Sequence, residues 1–110
     1  MGSGRGRGCN VNVPLAARTD DDTYVDALLP VLESVQRHGA QAVIVSLGLD
    51  TYVTDPICDL SLTTDGFERC GAAVGELGLP TIVVQEGGYD IDALGDNVDA
   101  WLRGLRAAQL

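Results

Sequence analysis

At 110 residues and 45% hydrophobic content, the chain suits one small domain or a piece of a larger one, with a core of its own. A formal net charge of -9 excludes nucleic acid as the main partner, because phosphate binding is driven by Lys and Arg, and it disfavours an anionic membrane surface. No apolar run approaches the ~20 residues that cross a bilayer, and no secretory leader opens the chain, so a soluble, cytoplasmic protein is expected.

Residues 1–8 are rich in Gly and Arg and read as a flexible lead-in, with one domain segment over residues 9–110. Asn10 to Leu15 alternates polar and apolar residues like a short strand, which Pro14 ends. Thr19-Asp20-Asp21-Asp22 signals a helix start, since carboxylates in a first turn offset the positive end of the helix dipole. Val25, Leu28, Leu29, Leu32 and Val35 then recur at helical spacing. Pro30 is expected to kink or split this helix, and Gly39 to stop it.

Ala42 to Leu47 is a continuous apolar run with β-branched residues at its centre. It does not alternate, so a parallel strand covered on both faces is expected. A loop over Gly48 to Asp59 leaves its C-terminal end. Thr63 or Thr64 can cap a second helix, with Phe67, Cys70, Val74 and Leu77 on its inner face. Pro80 opens a second buried strand, Thr81 to Val84, which runs into Gln85-Glu86-Gly87-Gly88-Tyr89. The last helix is expected over Ile91 to Leu105, with Ile91, Leu94, Val98, Trp101, Leu102 and Leu105 on one face. Strand and helix alternate, so the fold class is α/β: a parallel sheet with helices packed on its faces.

Ligands in open parallel sheets bind beyond the carboxyl ends of the strands. Asp50 and Tyr89 both follow buried strands closely and could meet above one sheet edge. Taken singly, a strand-end Asp such as Asp50 more often caps a turn or a helix than holds a metal. A tyrosine in the place of Tyr89 is likewise more often packing than catalysis, and Gly87-Gly88 suits a simple turn. Cys9, Cys58 and Cys70 form no CxxC pair and read as reduced thiols. The alternating glycines from Gly2 to Gly8 lead into a strand instead of following one and opening a helix, so they are not a dinucleotide fingerprint.

Four segments together carry a resemblance. They are Gly4 to Leu15, Val45-Ser46-Leu47-Gly48-Leu49-Asp50-Thr51 with Asp55-Pro56-Ile57, Leu79 to Val84 with Glu86-Gly87-Gly88-Tyr89, and Asn97 with Leu102-Arg103-Gly104-Leu105. In this order they resemble the C-terminal portion of the histone deacetylase and acetylpolyamine amidohydrolase family. The tetrapeptide Glu86-Gly87-Gly88-Tyr89 and the Asp50/Asp55-Pro56-Ile57 pairing look closer to the bacterial acetylpolyamine amidohydrolases. The resemblance implies part of a three-layer α/β/α sandwich and zinc-dependent hydrolysis of acetyl-lysine or acetylpolyamine amides. It implies Asp50 as one Zn²⁺ ligand and Tyr89 as the hydrogen-bond donor to the substrate carbonyl. Pro56 and Ile57 correspond to channel-wall positions, and Gly87 and Gly88 let the backbone approach the acyl chain.

The family's tandem His-His pair and Asp-x-His ligands have no counterpart here. The single histidine, His38, ends the first helix, where a cation suits the dipole. The expectation is an incomplete fragment, inactive alone, that needs an N-terminal half or a second copy. The competing expectation is a non-catalytic interaction module or one half of a split enzyme.

Overall fold

Side chains start each helix by accepting a hydrogen bond from its first turn. In the computed structural model, which describes residues 1–110, α1 spans Asp21–His38, α2 Thr64–Gly75 and α3 Ile91–Gln109. Asp20 Oδ1 accepts from the Thr23 amide at 2.9 Å, Thr63 Oγ1 from Gly66 at 3.2 Å, and Asp90 Oδ1 from Ala93 at 3.3 Å. Gly39, at φ 77°, turns the chain out of α1 in the left-handed region that a glycine enters freely. The expected split at Pro30 does not occur, and α1 is one continuous helix. Pro30 and Asp26, whose carbonyl loses its i+4 donor, are both exposed, so water can replace the lost bond.

Strands β1 (Val43–Leu47) and β2 (Thr81–Gln85) pair in parallel, with Val43 opposite Thr81 and Leu47 opposite Gln85. They form the whole sheet. The strand expected at Asn10–Leu15 is absent; that stretch is irregular, and residues 4–6 before it form one 3₁₀ turn. Alternation makes a strand only where a partner edge receives it, and no edge does so here. Val13 and Leu15 lie instead along α1, lining an apolar hollow with Tyr24, Ala27, Leu28 and Val31.

The core lies on one side of the sheet. Leu47, Leu49, Leu62, Phe67, Cys70, Val74, Trp101 and Leu105 form a single buried cluster. Helices α2 and α3 approach backbone to backbone through Gly71, Gly75 and Gly104. A Cβ at Gly75 would stand 2.6 Å from the Leu105 carbonyl oxygen, and Cβ atoms at Gly71 and Gly104 would collide with the Trp101 and Glu68 carbonyls. Asn97, fully buried on α3, accepts from Thr64 Oγ1 at 2.7 Å and locks the start of α2 to the middle of α3.

Three details of the expected burial are corrected. The other sheet face is bare: Ile44 is 72% exposed, Ile82 63% and Val84 45%. All three helices share the opposite face, so this chain makes two layers of the expected sandwich. Ile91 and Leu102 point away from the core of α3, whose buried residues are Asn97, Ala100, Trp101, Gly104 and Leu105. No residue of α1 is fully buried, and Leu29 lies on its exposed side. No helix is long and apolar enough to cross a membrane.

Candidate functional site

Parallel pairing brings the C-terminal ends of β1 and β2 to the same edge, and the zipper continues past the strands. The Glu86 amide donates to the Leu47 carbonyl at 2.8 Å, and the Leu49 amide to the Gly87 carbonyl at 2.7 Å. Two bonds beyond regular structure are enough to place Asp50 beside Gly87.

The geometry of Gly87 defines the meeting point. A Cβ at this residue would stand 3.1 Å from Asp50 Oδ2 and 3.3 Å from the Tyr89 hydroxyl. Carboxylate and phenol therefore flank one small volume that only a glycine leaves open. Gly48 borders Asp50 from the other side, where a Cβ would come within 2.8 Å of Oδ1. Gly88 sits at φ 145°, in a region that side chains rarely adopt, and a Cβ there would press on Leu94 at 2.8 Å and Leu49 at 3.1 Å. The structure thus brings Asp50, which follows β1, together with Gly87, Gly88 and Tyr89, which follow β2 more than thirty positions later.

The loop after Asp50 is held firmly. The Leu62 amide donates to the Thr51 carbonyl at 3.1 Å and the Leu62 carbonyl accepts from the Val53 amide at 2.9 Å, and Tyr52 stacks on Phe67 with centroids 6.3 Å apart. Thr54 Oγ1 donates to Asp90 Oδ2. Asp55, buried at 8% exposure, makes the central tie. Its Oδ1 accepts from the amides of Ile57 at 2.8 Å and Cys58 at 3.4 Å, and its Oδ2 accepts from the Tyr89 amide at 2.8 Å. Burial pushes this carboxyl up, but the N–H groups of Tyr89, Ile57, Cys58 and Asp90 outweigh it and hold it below the ordinary value. The same carboxylate sets the Pro56–Ile57 turn against the Tyr89 segment. Both turn residues are exposed, as is Tyr89 at 52%.

Asp55 is the site residue that sequence reasoning left without a role. The signal was present: an Asp followed by Pro, two residues before a free amide, favours an Asx-type turn. What no local pattern announces is the second oxygen, which reaches 34 positions along the chain to Tyr89.

No three His, Cys, Asp or Glu side chains of this chain gather into a metal site. Asp50 is one suitable hard oxygen donor, half-buried and set between two glycines. His38 ends α1 on the surface, where the chain is about to enter β1, whereas Asp50 follows the opposite end of that strand.

Comparison with known proteins gives this arrangement its context. A family model described as the histone deacetylase domain matches residues 1–105. Acetylpolyamine amidohydrolase 2 of Pseudomonas aeruginosa is 44% identical over 104 residues, which cover 94% of this chain and 30% of that protein. Histone deacetylase 8 of Xenopus laevis is 36% identical over 92 residues, covering 83% and 25%. The crystal structure of acetylpolyamine aminohydrolase from Burkholderia pseudomallei superposes with a TM-score of 0.93 at 38% identity, over 97% of this chain and 31% of that one. The chain thus spans about a third or less of the length of the relatives it matches. With a matching domain model, close sequence relatives and a shared fold, this chain belongs to the histone deacetylase family of hydrolases.

Proposed function

We propose that the chain supplies one wall of the active site of an amidohydrolase that cleaves acetyl-amide bonds of acetyl-lysine or acetylpolyamine type. The observation that carries this reading is the convergence of the Asp50 carboxylate and the Tyr89 hydroxyl on the space over Gly87. In this role the Tyr89 hydroxyl donates to the acetyl carbonyl oxygen as negative charge builds on it, where a fixed donor lowers the barrier most. The products are acetate and a free amine. Pro56, Ile57, Gly87 and Gly88 border the path of the acyl chain, with the exposed Ile57 as its apolar rim.

Zn²⁺ is the cofactor this reading implies. Asp50 fits as one donor, but a catalytic zinc takes three protein ligands, and this chain does not provide the other two. The remaining ligands and the general acid-base pair come from polypeptide outside these residues, either the rest of the domain or a second copy. The isolated chain is inactive on this reading, and a cytoplasmic location belongs to the same proposal. A second reading, a non-catalytic interaction module, draws on the bare sheet face, whose Ile44, Ile82 and Val84 offer an apolar surface.

Hydrolysis of an acetyl-lysine peptide and of an acetylated polyamine separates the two. With zinc and the remaining segment of a deacetylase domain, turnover is expected, and Tyr89→Phe lowers kcat about 10²- to 10³-fold. The chain alone shows no turnover above that variant. Turnover that ignores both Tyr89→Phe and Asp50→Ala would sink the assignment. Absence of zinc binding in the assembled domain would favour the interaction module.

A further inference from the structure

Tyr89 is poorly held by its own side chain. Its residue is half exposed, and the two residues before it are glycines, the residue type with the most permissive backbone. A hydroxyl useful at one point in space needs its Cα fixed by something else. The Tyr89 amide is fixed by Asp55, and Asp55 is the only side chain that bonds to the Gly87–Tyr89 segment. Its other oxygen closes the turn over Ile57 and Cys58, in the loop that leaves Asp50.

We infer that Asp55 is a positioning residue that sets the Tyr89 hydroxyl against Asp50 by holding the tyrosine loop and the Asp50 loop with one carboxylate. The inference rests on the reading of Tyr89 given above. The carboxylate is suited to the task because both of its oxygens are acceptors and all three of its bonds come from backbone N–H donors. An amide of the same shape has one oxygen, so Asp55→Asn can serve one loop and must turn an N–H toward the other. The residue touches neither the space over Gly87 nor a reacting atom, so it acts through Tyr89 and is not itself catalytic.

Amide hydrogen exchange in the 110-residue chain tests the tie directly. In the native chain the Tyr89 and Ile57 amides are both protected. In Asp55→Asn at least one of them exchanges about 10- to 100-fold faster, the scale of a lost bond to a charged acceptor. The buried Trp101 indole signal stays in place, and the exposed Asp59→Asn control changes nothing. Unchanged exchange at both amides overturns the inference. So does a collapse of the Trp101 signal in Asp55→Asn, which would make Asp55 a support of the whole fold. The functional arm uses the domain completed with its remaining segment. There Asp55→Asn lowers kcat about 10- to 100-fold with KM and zinc content unchanged, as expected for a supporting group. Normal kcat in that variant overturns the inference alone; no turnover in the unsubstituted domain overturns the reading of Tyr89 instead and leaves the exchange result to decide the tie.

Discussion

The two faces of the sheet differ as a finished surface differs from an unfinished one. On the helical side, Leu47 and Leu49 are buried under Phe67, Cys70, Val74 and Trp101, and three glycines let α2 and α3 pack backbone to backbone. On the other side, Ile44, Ile82 and Val84 stand in solvent, from strands whose outer edges pair with nothing. The strand residues are apolar on both sides, so composition does not distinguish the faces. The chain holds the helices for one side only, and relatives about three times as long share its fold. The lesson is that stability and completeness separate: one face gives a 110-residue chain a core, while the other records that the parallel strands are built for a larger sheet.

The sharpest way to break the comparison is to fill the finished side. Gly104→Ala puts a methyl against the Glu68 carbonyl, a backbone atom that cannot swing aside. It is expected to cost ~3 kcal/mol, at the upper end of overpacking, measured by urea unfolding with Trp101 fluorescence. A loss under ~0.5 kcal/mol would mean that α2 and α3 slide freely.

Alkaline pH sharpens the same contrast. Burial pushes the Cys70 thiol up to about 11 from an ordinary 9.0. Between those values the unfolded chain has released this proton and the native one has not, so stability falls as pH rises. The contribution is complete below pH 9 and loses ~2 kcal/mol by pH 11. Cys70→Ala should flatten that slope in unfolding curves taken from pH 8 to 11. A slope unchanged by the variant would place its origin elsewhere. The exposed Cys9 should alkylate readily throughout, while Cys70 resists.

The smallest effect belongs to the bare face. Ile44→Thr with Ile82→Thr should move stability by no more than ~0.5 kcal/mol per site, because neither side chain loses burial. Dye binding to exposed apolar surface should fall at the same time. A loss of ~2 kcal/mol or more would show that something covers this face in solution, and sedimentation would then tell self-association from a folded-back segment.

Much of the architecture was legible in the residues. Two β-branched runs, three helices, the start of α1 within Thr19–Asp22 and the cap of α2 at Thr63 follow from local rules, because a cap or a β-branched run acts within a few positions; the cap of α3 at Asp90 was not read. Pairing of Asp50 with Tyr89 was legible as well, since parallel strands end at one edge. Local pattern failed wherever a partner had to be known. Asn10–Leu15 has the alternation of a strand, yet no edge receives it, and Pro30 is tolerated in α1 because it faces water.

By itself, then, the sequence determined the order of the elements from α1 onward, the parallel sense of the sheet and the family of the chain, because periodicity, capping and motif order are properties of neighbouring residues. Only the tertiary structure decided which sheet face is covered. It alone showed that Gly71, Gly75 and Gly104 are required by a helix contact, and that one oxygen of Asp55 holds Tyr89. Burial and long-range hydrogen bonds depend on atoms brought from distant parts of the chain, and no local pattern records where those atoms arrive.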